Sequence, residues 1–551
     1  MIRLYEIKIA VDENQNVLKD TVIKKIGKYS DLIDIDSIRI SSKSIDARKK
    51  NNIFYVYNID LNLKNHGSSS AIEEEFINDV QKINKKIKLS KVDSKQYTPK
   101  FEDVHSQKTD KGEMDLQSAA RPIIIGFGPA GMFAGLIFAL NGLNPIIIER
   151  GKPVDERVDD VSAFWKDGVY KPNSNPLFGE GGAGTFSDGK LTTGKKDVRI
   201  PFILKEFHEA GAPDEILYMK KPHIGTDVLR KVVKNIRNKI ISLGGEIRFN
   251  TLCTDIIVKD NKIDSVKLLH LSDLADRDER KSDFKEESIS TNALVLAVGH
   301  SARETYEMLS ENKIYMEQKP FSIGLRIQHK QSLIDQSQYG DNNPNLPPAE
   351  YKLSYKTDEG RGVYTFCMCP GGHVITTSAE KNTLSVNGMS NYKRDGEYAN
   401  SALLVDVRTD DYNSEEPLSG IEFQREYEKR AFIAGGETYF PPTEKLSDFV
   451  SEKSKIAKCL PDFASKAIRE ALPVFGKKIR GFDDENAVLK GIESGSSSPV
   501  KIPRDMNYMS NVKGVYPCGE GAGYAGGITS SAVDGIKCAE AVMDLFSRNH
   551  G

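Results

Sequence analysis

A chain of 551 residues exceeds what one hydrophobic core organises, so two or three domains are expected, each able to bury a sizeable interior. Lys and Arg number 77 against 79 Asp and Glu, a net charge of -2, which removes the whole-molecule electrostatic case for nucleic acid or an anionic membrane as the main partner. No run of about 18 uncharged apolar residues occurs, and Met1 to Lys8 alternates charged with apolar residues, so neither a membrane span nor a signal peptide is expected. The six cysteines form no paired framework, and a reducing, cytoplasmic setting is the expectation.

From the N-terminus, Ile7, Ile9 and Val11 share one strand face, Val22, Ile23 and Ile26 follow at helical spacing, and Ile38 and Ile40 return to period two. Ile53 to Leu61 is then β-rich, Ile72, Phe76, Ile77, Val80 and Ile83 make a helical stripe, and Ile87 to Val92 reads as a short last strand. The order βαββαβ over residues 1–96 predicts a ferredoxin-like α+β module. Residues 97–120 turn polar and lose periodicity, as a linker does, and the polar stretches 272–290 and 341–360 read as surface excursions.

Arg121 to Gly135 reads as a buried strand, a glycine-rich turn and the start of an apolar helix. Gly126 suits the tight turn, Gly128 admits a pyrophosphate to the backbone, and Gly131 and Gly135 let helix and strand pack closely; Pro129 and Ala130 begin the helix, whose N-terminus attracts phosphate. The next strand ends at Glu149, 23 residues after Gly126, where a carboxylate can accept from ribose hydroxyls.

Near the other end of the chain, Gly514 to Gly535 gives a second strand, the acidic turn Gly519-Glu520, and a helix opening at Gly527 and Ile528. The stretch around Cys253 follows a helical segment, and Asn292 to Gly299 is a buried strand closing on a small-residue turn that includes Ala297. Taken in chain order, these motifs resemble the glutathione-reductase-like FAD-binding class, and with the glycine run from Phe178 to Lys190 the chain resembles its uncharacterised FAD-dependent dehydrogenases. The resemblance implies an α/β fold: a Rossmann-like FAD-binding domain from residues 121–305 and 505–551, interrupted by a β-rich cap over 306–504. It implies FAD contacts at the first motif, at Glu149 with Arg150, at Gly182, Ala183, Gly184, Ser187 and Lys190, at Cys253, at Ala297 and Gly299, and at Gly519, Glu520, Gly527 and Ile528. Glu520 stands where that class carries Asp.

No cysteine lies between Gly131 and Cys253, where disulfide reductases of this class carry their pair, and no second strand-glycine-helix unit lies between residues 300 and 500 to hold a nicotinamide. Any NAD(P)H is therefore expected to bind transiently. Cys367-Met-Cys369 falls in a β-rich run, where one-residue spacing directs both side chains to one face, and ordinary buried cysteines are expected. No His/Cys cluster has zinc spacing, so no metal is expected.

Lys190, His300 and His373 are the candidate catalytic groups, with Asp188, Tyr524 and Thr529 expected near the flavin, and Arg326 or Lys393 and Arg394 available to an acidic substrate. The resulting expectation is an FAD-dependent oxidoreductase acting on a small organic molecule. Two other readings stay open: an RNA-modifying or RNA-associated flavoprotein using the N-terminal module as adaptor, and a flavin sensor. The N-terminal module lacks the aromatic-glycine signature of RNA-recognition modules, so nucleic acid is not expected as a partner.

Overall fold

The computed structural model of the chain describes residues 1–64, 70–92, 97–99, 121–271, 286–340, 343–451 and 453–548. Most of the linker expected over 97–120 lies outside the described residues. Elements are labelled in chain order.

The N-terminal region runs β1 (Ile2–Ala10), α1 (Leu18–Ile26), β2 (Ile33–Asp46), β3 (Phe54–Leu63), α2 (Ser70–Ile83) and β4 (Leu89–Lys91). Its four strands form an antiparallel sheet in the order β2-β3-β1-β4. A bulge between Leu4 and Ile7, with Glu6 at a φ of 57°, moves the buried positions of β1 from Ile2 and Leu4 to Ile7 and Ile9. One extra residue thus keeps the apolar side chains on the core face through a change of phase.

From residue 121 onward come β5 (Ile123–Ile125), α3 (Pro129–Leu140), β6 (Ile146–Ile148), α4 (Val154–Asp167), α5 (Ile200–Glu209), α6 (Thr226–Ser242) and β7 (Glu246–Arg248). The antiparallel strands β8 (Thr251–Lys259), β9 (Lys262–His270) and β10 (Glu286–Ser290) follow, then β11 (Leu294–Leu296), α7 (Arg303–Glu311) and β12 (Glu317–Gln318). Strand β10 corrects the expectation of a surface excursion as far as residue 290: its backbone pairs with β9, and residues 272–285 lie outside the described residues.

The next region contains β13 (Phe321–Lys330), α8 (Gln331–Tyr339), β14 (Ser354–Lys356), β15 (Gly362–Cys369), β16 (His373–Thr377), β17 (Ser385–Met389), β18 (Tyr398–Val407), α9 (Ser419–Ala434), β19 (Thr443–Lys445), α10 (Leu446–Val450), α11 (Asp462–Lys478) and β20 (Val488–Glu493). The chain ends with β21 (Val500–Lys501), β22 (Val515–Pro517) and α12 (Ile528–Arg548). Helix α11 begins only at Asp462, because the residue before Pro461 is forced out of helical backbone, and Leu460 is extended. The stretch 341–360 is also less superficial than expected, since Ala349, Tyr351 and Leu353 are buried.

Two sheets position everything else. The first is parallel, in the order β22-β11-β5-β6-β7. Its central strands are isoleucine runs buried on both faces, as a sheet covered by helices requires. Helix α3 is buried from Ala130 to Ala139 and packs between this sheet and α12, its small residues allowing the close approach. A Cβ on Gly131 would stand 1.9 Å from the Gly126 carbonyl oxygen, so the turn and the helix fit only without a side chain there.

The second sheet is antiparallel, in the order β14-β15-β18-β13-β20-β19, with α9 and α11 contributing to its core. It carries two irregularities: the register of β15 on β18 shifts between Phe366 and Cys369, and that of β13 on β20 shifts between Gly324 and Leu325.

The N-terminal region is docked against this body. The Lys43 backbone N–H donates to the Tyr218 carbonyl at 2.8 Å, Lys220 returns a bond to the Lys43 carbonyl at 3.0 Å, and Asn343 donates to Asp12 at 2.9 Å. Farther along, the Tyr97 hydroxyl donates to Glu540 at 2.7 Å and Asn141 donates to the Pro99 carbonyl at 2.7 Å. No helix among the described residues is long and apolar enough to cross a membrane.

Candidate functional site

At the carboxyl ends of β5, β6 and β11 the chain opens into a cleft of about 390 Å³, within the roughly 300–1,000 Å³ usual for small-molecule and cofactor sites. Open parallel sheets place their ligands in this position because the loops after the strands diverge there. The cleft is long, and its two ends differ.

At one end stand Glu149, Arg150, Leu252 and Cys253. The Glu149 carboxylate is buried and accepts backbone N–H bonds from Phe127 and Gly151 at 2.9 Å each and from Gly179 at 3.1 Å. The carboxylate thereby ties the first turn to the glycine-rich loop, a role the sequence did not suggest. Arg150 pairs with Glu304, donates to Asn173 at 2.9 Å and lies 4.2 Å from the Phe178 ring centre. Burial pushes the Cys253 thiol up to about 12, so it stays protonated and inert.

The middle of the cleft is backbone. Gly128, Pro129 and Ala130 from the start of α3 face Gly182, Ala183 and Gly184, with Ala297, Gly299, Gly527 and Ile528 completing the wall. Gly126 has a φ of 98°, and a Cβ there would stand 2.6 Å from the Ala297 carbonyl oxygen. A Cβ on Gly182 would come 3.3 Å from the Gly128 Cα, closing the gap between the two loops, whereas around Gly299 and Gly527 the space is open. No side chain caps the α3 N-terminus, which leaves its first N–H groups and partial positive charge for an anion.

The glycine loop is held from behind by the wholly buried Arg157, which the sequence gave no reason to single out. It donates to the carbonyls of Asn175, Glu180 and Gly182 at 3.0, 2.7 and 3.0 Å, and burial lowers its guanidinium to about 10. Such interior carbonyls need donors, and one guanidinium serves three.

The far end is made of side chains. Lys190, His300 and Glu520 stand opposite Phe366, Cys367, Asn387 and Glu493. His300 Nδ1 lies 3.2 Å from Glu520 Oε1. Lys190 donates to the Met368 carbonyl and lies 3.5 Å from Asp188; burial works against its charge, but Cys369, Cys367 and Asp188 together hold its pKa above the ordinary lysine value. The buried Glu493 is pushed up to about 7 by burial, against the pull of Arg326.

Several expectations about side chains are corrected. His373 is exposed at the start of β16 and is no part of the cleft wall. Gly131 and Gly519 lie behind the wall: Gly131 packs on the turn, and Gly519 donates to Asp534 at 2.7 Å. Thr529 donates inward to the Leu191 carbonyl at 2.8 Å, and the Tyr524 ring lies 3.8 Å from the Arg504 guanidinium, so neither side chain serves the cleft. Asp188 does line the cleft beside Lys190, with its carboxylate already held by Ser390 and Arg394.

Arg326 and Arg394 are not free to hold an acidic substrate. Arg326 is fully buried and is consumed by Glu493, the Cys367 carbonyl, Asn387 and Asn400, and Arg394 by Asp188 and Glu350. The Cys367-Met-Cys369 run does not continue as a regular strand: Cys367 has a φ of 46° at the β15 irregularity and stands half-buried on the cleft wall. A bulge re-aims a side chain in this way, and single-strand periodicity cannot reveal it.

A family described as "FAD-dependent protein, C-terminal domain-like" matches residues 320–458 and 451–496, and one described as a domain of unknown function matches residues 1–62. An uncharacterized protein of Clostridium beijerinckii is 42% identical over 567 residues, covering 99% of this chain and 99% of its own length. The chain belongs to the family of that protein. Among solved structures, E. coli quinol fumarate reductase FrdA is 10% identical with a TM-score of 0.37, covering 79% of this chain and 71% of its own. A geranylgeranyl bacteriochlorophyll reductase-like protein of Thermoplasma acidophilum is 13% identical with a TM-score of 0.34, covering 78% and 79%.

The protein is an FAD-dependent flavoprotein. The residues of the cleft fit that group. A long slot with a carboxylate at one end, a side-chain-free gap at a helix N-terminus in the middle and a polar chamber at the other matches the order of ribose, pyrophosphate and ring in a dinucleotide.

Proposed function

We propose that the chain is an FAD-dependent oxidoreductase that acts on a small organic molecule admitted at the side-chain end of the cleft. In this reading residues 121–305 and 505–551 make a Rossmann-like, glutathione-reductase-like cofactor domain, residues 306–504 cap it, and residues 1–96 are a ferredoxin-like module. It works in the cytoplasm and takes electrons from NAD(P)H, where it uses that donor, by transient binding.

One observation carries the reading: residues as far apart as Gly128, Glu149, Gly182, Cys253, Ala297 and Ile528 line one continuous cleft. Bound FAD supplies the hydride or electron chemistry at its ring. The chain's own residues bind and orient. Backbone N–H groups at the α3 N-terminus and the glycine loop receive the diphosphate, and Glu149 receives the ribose. Lys190 holds positive charge at the chamber, where it favours an anionic partner. His300, oriented by Glu520, and Glu493, with a pKa of about 7, are the groups able to hold or release a proton there.

The test is an absorbance spectrum of the purified protein before and after denaturation, then anaerobic titration with NADH and NADPH. Release of FAD, and bleaching by a nicotinamide or by a screened substrate, is the expected result. A colourless protein that takes up no added FAD overturns the proposal.

A further inference from the structure

Cys367 and Cys369 lie where the cap sheet meets the polar chamber, and four features of that place bear on what they do. The first is backbone. Along a regular strand, residues two apart stand about 6.6 Å apart with parallel side chains, while a disulfide needs Cα atoms within about 4.4–6.8 Å and Cβ atoms closer still. The left-handed φ of 46° at Cys367 and the register shift between Phe366 and Cys369 break that regularity at this dipeptide spacing.

The second feature is closeness: the chain folds back so that the Cys369 Sγ donates to the Cys367 carbonyl oxygen at 3.2 Å. Third, the two differ in access, for Cys367 is on the cleft wall and Cys369 is fully buried beneath it. Gly388 leaves room for the buried sulfur, since a Cβ there would stand 2.8 Å from it.

The fourth is charge. Lys190 and Arg326 face Cys367, with Asp188 and Glu493 behind them. The neighbouring Cys369 thiol, then Lys190 and Arg326, hold the Cys367 thiol well below the ordinary range, while the neighbouring Cys367 and burial hold Cys369 above it. An accessible sulfur favoured as thiolate beside a protonated, sheltered one is the arrangement of an attacking and a resolving thiol.

We propose that Cys367 and Cys369 are a redox-active dithiol that exchanges two electrons with the flavin. In the forward direction two S–H bonds break and one S–S bond forms between Sγ atoms; the two electrons and two protons pass to oxidised FAD, giving the fully reduced flavin. The reverse step restores both thiols. The inference rests on the cleft holding FAD with its ring at the polar end, and it supplies a second two-electron store beside the cofactor.

The test uses the flavin-loaded, full-length protein. After air oxidation and removal of small thiols, anaerobic dithionite titration is expected to consume four electrons per flavin. Alkylation followed by peptide mass analysis is expected to find residues 367 and 369 unlabelled before reduction and doubly labelled after it. Cys367→Ser and Cys369→Ser should each retain flavin and consume two electrons per flavin. A wild-type protein that binds flavin, consumes only two electrons and labels at both cysteines after oxidation overturns the dithiol and leaves the cofactor reading standing. A protein that takes up no FAD overturns both.

Discussion

The two ends of the cleft are built on different principles. Around Gly128, Gly182 and Gly527 the wall is backbone, and its recognition depends on side chains being missing, so any change there closes space or strains a turn. At Cys367, Asn387 and Glu493 the wall is side chains, carried in by three strands, β15, β17 and β20, and held by the buried Arg326. A site that uses backbone is fixed by steric rules, whereas a site that uses side chains is fixed by pairing. The difference predicts which substitutions cost stability and which cost cofactor.

The largest effect is expected on the side-chain wall. Arg326→Met leaves the Glu493 carboxyl buried without its cation and should cost about 3–5 kcal/mol, read by denaturant unfolding of the flavin-loaded protein. A loss under 1 kcal/mol would mean that the Arg326 pairs are replaceable and that the wall is not held by them. Gly126→Ala comes next: at a φ of 98° with the Ala297 carbonyl in the way, strain of about 1–3 kcal/mol should weaken FAD binding about tenfold or more, measured by quenching of flavin fluorescence. An unchanged affinity would remove the steric account of the backbone wall.

The third prediction concerns pH. Glu493 titrates near 7 in the folded chain instead of at the ordinary 4.5, so between those values the folded state holds a proton that the unfolded state has released. Its contribution to stability is complete below about 4.5 and is lost as pH rises through about 7. Glu493→Gln should flatten the stability profile across that window, seen in melting temperature against pH; an unaltered slope would assign the dependence to another group. Smallest is Thr529→Val, which removes the 2.8 Å bond to the Leu191 carbonyl that ties α12 to the end of the glycine loop. It should cost about 0.5–1.5 kcal/mol, with flavin content unchanged.

How much of this could be read beforehand follows the same division. Gly126, Gly128 and Glu149 were legible because a strand, a tight turn, a helix N-terminus and an acid must follow one another within a few turns of chain. Strand β3 and helix α2 were legible from periodicity, since each buries one face. His373 misled because a glycine-flanked histidine looks poised for function whatever side of the strand it occupies. Arg326 misled because an isolated basic residue gives no sign of the carboxylate at Glu493, 167 positions away, that neutralises it. Cys367 went unrecognised because a bulge is a property of two paired strands, and β18 carries half of the information.

The sequence by itself determined the dinucleotide-binding half of the cleft, because recognising a diphosphate through backbone N–H groups restricts the residues to glycine and small neighbours at fixed spacing. Only the tertiary structure decided the polar chamber, because Lys190, His300, Cys367, Glu493 and Glu520 come from five separate stretches of chain. Their chemistry, the raised carboxyl of Glu493 and the favoured thiolate of Cys367, arises from burial and from charges that the fold alone brings near.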